Sequence, residues 1–596
     1  MNPSEKKLDK IRESLKQKNI SAYIISGSDP HLGEYVPDHW RIIKWLTGFT
    51  GSSAMVVITD SSAGLWTDAR YYIQAEEQLK GSGFELIKPK TFRRSDYTDW
   101  LSENLEYGCR LAFDDRLFSV SQIRKLKKRL AAKNISFNTC CDLITGLWTD
   151  RPSMPATIAF DHLLKFCGKE RAIKIAEVRE SMKELHVNYQ LLTSIDDIMW
   201  LLNIRGSDNK YSPLFTSFAI IGEEQIFLFA DKTKIPQQLI SEFDRLNIVI
   251  LPYEETGKKL STLPESASIL LNPAVTSGGL FNAITPGMRI VQEISIPARL
   301  KAIRNMTEIA NINRVMIKDG VVLTKFFYWV EDNMGKKILS ELLVSDKLLE
   351  LRTGQENFFG PSFETIVAFN KNGAQPHYSV TPDTDTRIDE KGILLVDSGG
   401  QYLDGTTDIT RTILLGPPTF RQKMDFTLVL KGLISLAKAK FPMGTKGYQL
   451  DILAREALWE HGLNYGHGTG HGVGFFLNVH EGPLNIGFSV PEDSTAIIEP
   501  GMLFSNEPAI YREGEYGIRT ENLMICYEDE ETEFGQFLKF DTVTLCYIDK
   551  KLIDKSLLDQ KEILWVNSYH SEVCEKLSPF LTASEKQWLK DKTEPL

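Results

Sequence analysis

Residues 392–413 read GILLVDSGGQYLDGTTDITRTI, two apolar runs joined by a polar, glycine-containing stretch. The first run is typical of a buried strand and ends in Asp397, and the second begins at Asp408 and alternates as strands do. The turn-like sequence Gln401–Gly405 between them predicts a β-hairpin, which would bring the two carboxylates together. A lone aspartate at a strand end is usually a cap or turn residue, but a pair across a hairpin favours a shared chemical role.

Histidines are concentrated downstream of this hairpin. Four of the ten lie within twenty residues, in or near the stretches HGTGHGVG (467–474) and NVHEG (478–482). Glycine allows a loop to turn tightly and to approach a ligand closely, so this pattern predicts imidazoles placed at a metal. His461 lies outside the glycine-rich frame, and we expect it at the surface or at a helix end.

Each of two strand-like runs further on contains one glutamate among mostly apolar residues. They are MLFSNEP (502–508) and GIRTENLMI (517–525). A buried, unpaired carboxylate costs several kcal/mol, so Glu507 and Glu521 each need a cation or a proton. Arg519 is close enough in sequence to serve as one partner. Four carboxylates with an imidazole also suit two divalent cations, Mn²⁺ in the first place, with Zn²⁺ or Co²⁺ as alternatives.

The composition limits the classes of partner. A net charge of -10 argues against a nucleic-acid surface, which would need an excess of Lys and Arg. The apolar runs are far shorter than the ~20 residues that cross a bilayer, so we expect no membrane association. The amino terminus lacks the apolar core of a secretory signal, and the seven cysteines are scattered. These features together predict a cytoplasmic protein.

The length of 596 residues predicts several domains. The first 150 residues alternate short β-rich runs with helical stretches, as a mixed α/β domain does. A partial repeat follows, in which Trp45-Leu46 with Gly48 corresponds to Trp200-Leu201 with Asn203, each ahead of a strand-like run. It suggests two copies of one domain type. With breaks at the proline-containing segment 147–156 and at 295–297, we predict domains at 1–157, 158–298 and 299–596.

The order of the candidate ligands resembles that of the methionine aminopeptidase, prolidase and aminopeptidase P group: Asp397, Asp408, His471, Glu507 and Glu521, with His377 upstream and His480 downstream. The stretches DSGGQYLDGTTDITRT, HGTGHGVGFFLNVHEGP and GIRTEN are most similar to the three-domain Xaa-Pro aminopeptidases. The resemblance implies an α/β and α+β chain, with two creatinase-like domains followed by a pita-bread catalytic domain and a carboxy-terminal extension. Thr520 stands where isoleucine is usual, and the segment Ala374-Gln375-Pro376 is more polar than is usual ahead of His377. Because these residues neighbour the expected site, we expect them to affect the range of substrates more than activity.

The resemblance also implies roles for these residues. Asp397 would bind one metal, His471 and Glu507 the other, and Asp408 and Glu521 both, so that a hydroxide bridging the metals attacks the amino-terminal Xaa-Pro bond. The implied catalytic residues are His377, His480 and Glu507, and the implied substrate-binding residues are His467, Arg519 and Tyr511. The expected partners are peptides with proline as second residue and, in a homodimer, a second copy of the chain.

Two alternatives stay open. A prolidase shares the ligands and the proline preference but acts on Xaa-Pro dipeptides, and it usually has a single amino-terminal domain. A non-catalytic pita-bread module used for protein binding should have lost ligands. The two predicted amino-terminal domains and the complete ligand set favour the aminopeptidase.

Overall fold

The computed structural model describes residues 2–88, 96–488 and 496–596, which fall into two compact units. The first consists of Met1–Asp161, Glu170–Lys210 and Leu214–Pro297, and the second of His162–Lys169, Tyr211–Pro213 and Ala298–Leu596. Among the described residues, no helix combines the length and the apolar character that crossing a membrane requires.

The first unit begins with a six-stranded sheet flanked by helices. Its strand β1 is buried along its whole length, as in α/β proteins whose sheets are covered on both faces. The elements are α1 Pro3–Gln17, β1 Ala22–Ser26, α2 Ile42–Thr47, β2 Met55–Thr59, β3 Ala63–Trp66, α3 Tyr72–Gln78, β4 Glu85–Leu86, α4 Tyr97–Asn104, β5 Arg110–Ala112, α5 Val120–Leu130 and β6 Ser136–Asn138. The strand order is β4-β3-β2-β1-β5-β6.

A second six-stranded sheet follows along the chain. The elements from this part are β7 Phe160–Asp161, α6 Leu164–Cys167, α7 Arg171–Glu184, β8 Tyr189–Leu192, α8 Ile195–Leu202, β9 Ile204–Arg205, β10 Phe218–Gly222, β11 Ile226–Phe229, α9 Gln237–Arg245, β12 Ile248–Leu251, α10 Thr256–Leu260, β13 Ser268–Leu271, α11 Gly278–Asn282 and β14 Arg289–Gln292. The sheet has the order β12-β11-β10-β8-β13-β14.

The two sheets have the same topology. In each, the first strand is antiparallel to the second and parallel to the fifth, and both outermost pairs are parallel. The helices that follow the first strands, α2 and α8, both end at a residue with left-handed backbone, Gly48 and Asn203. The predicted repeat of one domain type is therefore confirmed. The two residues that belong to the sequence repeat, Gly48 and Asn203, occupy equivalent helix ends.

The second unit carries the candidate ligands. Its elements are α12 Ile296–Ala302, α13 Met306–Asn333, β15 Leu339–Ser340, α14 Glu341–Thr353, β16 Phe358–Pro361, β17 Ile366–Phe369, β18 Arg387–Ile388, β19 Gly392–Ser398, β20 Gly400–Tyr402, β21 Gly405–Thr406, β22 Ile409–Leu415, α15 Phe420–Ala437, β23 Lys440–Pro442, α16 Gly447–Trp459, β24 Gly470–Gly472, β25 Glu481–Ile486, β26 Leu503–Asn506, β27 Ala509–Arg512, β28 Tyr516–Arg519, β29 Asn522–Thr532, β30 Gly535–Thr542, α17 Gln560–Leu577 and α18 Ala583–Lys592.

Two sheets of this unit position the site. The first has the order β17-β19-β22, and the second has the order β23-β30-β29-β26-β24-β25. Strands β19 and β22 are antiparallel over seven residue pairs, so the predicted hairpin is confirmed. Its turn is narrower than predicted, because β20 and β21 pair within the connection and leave only Leu403-Asp404 as the turn.

Candidate metal centre

Asp397 and Asp408 lie at the same end of the β19–β22 strand pair. Asp397 is the second-last residue of β19 and is opposite Thr410, while Asp408 immediately precedes β22. Both carboxylates are buried. The hairpin therefore brings together, in a site shielded from water, the two aspartates that the sequence places eleven residues apart.

Glu507 and Glu521 flank the end of a second strand pair. The β26–β29 ladder closes at the Asn506–Asn522 pair, and the glutamates are the next residue on each side. The Glu521 N–H donates to the Thr410 carbonyl at 3.1 Å, which joins this glutamate to the strand that follows Asp408. The Glu507 N–H donates to the carbonyl of Thr469 at 2.8 Å, within the glycine-rich stretch.

His471 presents one ring nitrogen to these carboxylates. Its Nδ1 lies 2.9 Å from the Gly472 carbonyl, which can only accept, so Nδ1 carries the proton. Nε2 then lies 3.5 Å from Asp408 Oδ2 and 3.4 Å from Glu507 Oε1. Ligand atoms of Asp408, His471 and Glu521 all lie within 4.8 Å of one another. A carbonyl that fixes the tautomer while the other nitrogen faces anions is typical of metal-binding histidines.

The glycine-rich stretch is held by helix α16. Arg455 donates to the carbonyls of Tyr465 and His467, at 2.9 and 2.7 Å, and pairs with Asp451. A side chain at Gly470 would place its Cβ 2.0 Å from the Ser505 carbonyl. Glycine is therefore required at 470 by the close approach of strand β26, whereas none of the glycines in 467–474 has a left-handed φ.

Buried negative charge dominates the site. Burial, followed by the charges of Asp408 and Glu507, raises the pKa of Glu521 well above its usual range. Burial also raises the pKa of Glu507 and, despite Arg519 nearby, that of Asp397 to about 6. Burial lowers the pKa of His471, but the interactions of His471 with Asp408 and Glu507 outweigh this effect. Together they raise the pKa of His471 to about 9. The site therefore holds protons tightly, as a site built for cations does.

The hydrogen bonding of the carboxylates fits the expected metals. Among the described residues, Asp397 Oδ1 is buried with no hydrogen-bond partner, while Oδ2 accepts from Arg519 at 2.5 Å. Arg519 thus pairs with Asp397 rather than with the neighbouring Glu521, whose Oε2 accepts from Thr410 Oγ1 at 2.7 Å. An oxygen without a hydrogen-bond partner, beside two further buried carboxylates, the partly buried Glu507 and an imidazole nitrogen, is a donor set that divalent cations satisfy.

The three predicted substrate-binding residues form one hydrogen-bonded chain. Arg519 donates to the Tyr511 hydroxyl at 2.6 Å, and that hydroxyl lies 2.9 Å from His467 Nε2. His467 Nδ1 lies 2.7 Å from the Gly468 carbonyl, so Nε2 is the acceptor and Tyr511 donates to it. The chain therefore runs from His467 to Arg519 and on to Asp397.

The two remaining catalytic candidates lie on separate segments. His480 precedes β25, and its ring is edge-on to that of His471 with centroids 4.4 Å apart. His377 lies in a turn closed by a 3.2 Å hydrogen bond from the Tyr378 N–H to the Gln375 carbonyl. His461 is exposed just after helix α16, as expected.

Some contributing residues were not predicted. Thr410 joins Arg519 to Glu521, and its signal was available, because it lies opposite Asp397 in the predicted hairpin. Arg304 and Lys301 surround the buried Glu481, next to His480. Arg304 also donates to the Val473 carbonyl at 2.6 Å. Nothing local reveals this pair, since the partners are about 180 residues apart in sequence.

Comparison with known proteins places these features in a family. The profile of metallopeptidase family M24 matches residues 310–528, and that of its C-terminal region matches 536–596. Two creatinase/prolidase N-terminal domain profiles match residues 7–144 and 150–308.

Curated relatives match this chain over nearly their whole length. A probable Xaa-Pro aminopeptidase P of Laccaria bicolor is 36% identical over 603 residues, covering 99% of this chain and 93% of that protein. Xaa-Pro aminopeptidase 1 of Dictyostelium discoideum is 36% identical over 610 residues, covering 99% and 96%. The crystal structure of an X-prolyl aminopeptidase from Caenorhabditis elegans, a cytosolic enzyme with a di-nuclear active site, is 34% identical with a TM-score of 0.95 and covers 100% of both chains.

Proposed function

This chain belongs to the Xaa-Pro aminopeptidases of metallopeptidase family M24, and on that premise we propose that it removes the amino-terminal residue from peptides whose second residue is proline. The observation that carries the proposal is the convergence of three buried carboxylates, the partly buried Glu507 and the His471 Nε2, with one carboxylate oxygen left without a hydrogen-bond partner among the described residues. A buried anionic cluster of this kind is costly unless cations bind it.

We assign the metal ligands as the family resemblance implies. Asp397 would hold one cation, His471 and Glu507 the other, and Asp408 and Glu521 both. The proximity of ligand atoms from Asp408, His471 and Glu521 supports this arrangement. When bound, two divalent cations lower the pKa of a shared water and polarise the scissile carbonyl. The proposed metal is Mn²⁺, with Zn²⁺ or Co²⁺ as alternatives, because carboxylates dominate the donor set.

Three side chains would handle the protons and charge of the reaction. Glu507, whose pKa is raised by burial, would accept the proton of the attacking water. His480, edge-on to His471, would stabilise the oxyanion that develops on the scissile carbonyl. His377 would contact the scissile amide and deliver a proton to the proline nitrogen as it leaves.

The chain of His467, Tyr511 and Arg519 would line the prolyl side of the pocket. It would offer aromatic surface to a proline, since the His467 ring is tilted against those of Tyr465 and Tyr511, with centroids 5.0 and 5.6 Å away. Arg519 also pairs with Asp397. Hydrogen bonds would therefore connect the residues that contact the proline to a proposed metal ligand.

Assembly, location and domain limits complete the proposal. The similarity to a cytosolic enzyme, together with the sequence composition, supports a cytoplasmic location. The family resemblance supports a homodimer. The limits 1–157, 158–298 and 299–596 remain the proposed domain boundaries.

The experiment that tests the function compares two substrates with the Mn²⁺-loaded protein. With Arg-Pro-Pro we expect release of free arginine, and with the dipeptide Gly-Pro we expect much slower hydrolysis. Arg-Ala-Ala serves as the matched control and should not be cut, since it lacks the proline that the pocket would recognise. Products are separated and quantified by chromatography.

Each alternative predicts a different result. Hydrolysis of Gly-Pro alone would replace the aminopeptidase with a prolidase. Failure to cut either substrate, with metal bound, would favour the non-catalytic module. The variant Asp408→Asn, purified in parallel, shows whether any activity comes from a contaminating peptidase.

A further inference from the structure

One buried carboxylate lies where both ends of the His377-bearing segment meet. Glu341 is the first residue of α14 and is 0% exposed. The segment 369–386 begins at the end of β17 and ends just before β18, which forms a separate two-stranded sheet with β15, the strand immediately before Glu341. Glu341 therefore lies at the base of the loop that carries His377.

The carboxylate of Glu341 accepts hydrogen bonds from both ends of this segment. Its Oε1 accepts from the Phe369 N–H at 2.6 Å, and its Oε2 accepts from the Thr386 N–H at 3.3 Å. In the middle of the segment, Asn372 Nδ2 donates to Oε1 at 3.0 Å and the Tyr378 hydroxyl donates to Oε2 at 2.8 Å. All four partners are donors, which matches an acceptor-only carboxylate and no other side chain of this size.

Tyr378 extends this contact to His377 and to the metal centre. It follows His377 directly, and its N–H closes the turn over that residue. Its ring packs with Ile366, Ala368 and Leu395. Leu395 lies two residues before Asp397 on β19, so the turn is packed against the strand that delivers a proposed metal ligand.

We propose that Glu341 is the positioning residue for His377: its carboxylate fixes segment 369–386 so that the imidazole meets the scissile amide. The inference rests on the proposed function, in which His377 contacts that amide. Catalysis depends steeply on such placement, since a displacement of about 1 Å can cost about a hundredfold in rate.

The test uses Glu341→Gln in the metal-loaded, full-length protein. The substituted amide has nearly the same shape, but its NH₂ group faces donors and breaks the contacts of one oxygen. We expect kcat for Arg-Pro-Pro to fall about 10- to 100-fold, with KM and metal content unchanged. The exposed Glu350→Gln on the same helix is the matched control and should retain wild-type kcat.

Two readouts separate positioning from a merely structural role. In hydrogen exchange measured by mass spectrometry, Glu341→Gln should speed exchange in peptides covering 369–386 and nowhere else in the catalytic unit. In a double-mutant cycle, adding Glu341→Gln to the His377→Ala variant should lower its kcat by no more than about twofold. The imidazole that Glu341 positions is already absent from that variant. Tyr378→Phe, which removes one of the contacts, should give a smaller loss in kcat.

The outcomes are distinguishable. Unchanged exchange in 369–386, or a loss of kcat that adds fully to that of His377→Ala, would overturn the role of Glu341. A wild-type protein that does not cut Arg-Pro-Pro would overturn the proposed function instead, while the exchange comparison would still decide whether Glu341 fixes the segment.

Discussion

Asp408 is the residue on which both proposed metal positions depend. Its Oδ2 faces His471 Nε2 at 3.5 Å, and its charge contributes to the raised pKa values of Glu521 and Glu507. The substitution Asp408→Asn keeps the volume and removes the charge. We expect it to reduce bound metal from two ions to fewer than one per chain, and to lower kcat at least about a hundredfold, because a lost bridging ligand weakens both positions.

Metal content by mass spectrometry and steady-state kinetics with Arg-Pro-Pro check this prediction. Asp389→Asn is the matched control, since Asp389 is an exposed carboxylate just ahead of β19, and it should keep both metals and full activity. Two bound ions and wild-type kcat in Asp408→Asn would disprove the bridging role.

The residues of the centre differ in how well the sequence predicted them. The proposed ligands were recognisable because each lies next to or within a strand-like or glycine-rich stretch in which a carboxylate or imidazole is unusual. Glu341 was not recognisable, since its partners lie 28 to 45 residues downstream and are ordinary donors. The same holds for Arg304, whose partner Glu481 becomes its neighbour only when the chain folds. Local sequence predicts what a residue can bind, whereas the fold decides what holds it in place.

At the scale of elements, β28 and the turn 370–374 approach each other unusually closely. A Cβ at Gly517 would lie 1.7 Å from the Gly373 carbonyl oxygen, so only glycine fits. The turn belongs to segment 369–386, which carries His377, and β28 ends in Arg519. The contact therefore couples the placement of a proposed catalytic residue to that of a proposed substrate-binding residue.

Gly517→Ala should separate these two elements. We expect overpacking to cost about 1–3 kcal/mol of stability and to lower kcat at least about tenfold, because both His377 and Arg519 would shift. Thermal melts and kinetics with Arg-Pro-Pro provide the measurement. Gly360→Ala in β16 is the control, since a Cβ there meets nothing within 4 Å and its φ is not left-handed. Equal behaviour of the two variants would show that the contact has no functional consequence.

Elements were predictable where their signal is local. The β19–β22 hairpin follows from two alternating runs and a short connection, and the repeated α/β sheets follow from matching helix ends. Strands β20 and β21 were missed because they have only three and two residues. Strand β20 is stabilised by pairing with β16, about forty residues upstream. The local sequence does not predict that pairing.

For the whole molecule, the anionic centre makes stability depend on pH and metal together. The pKa of Asp397 is raised to about 6, so between its ordinary pKa and 6 the folded chain binds more protons than the unfolded chain. The pKa of His471 is raised to about 9, so the same holds between 6.5 and 9. Where the folded state holds more protons, stability falls as pH rises. Without metal, the free energy of unfolding should therefore fall as the pH rises from about 5 to 8, with Asp397 contributing below about 6 and His471 above about 6.5.

Bound metal reverses this dependence, because cations require the deprotonated ligands and replace the protons that the metal-free site retains. We therefore expect the melting temperature in a chelator to fall between pH 5 and pH 8, and the gap between Mn²⁺-loaded and chelated protein to widen over the same range. Melts followed by circular dichroism at several pH values measure both, and Asp408→Asn should abolish most of the gap at every pH. A gap that is constant with pH would mean that the four carboxylates and His471 do not exchange protons for metal, and it would remove the electrostatic argument for a two-metal centre.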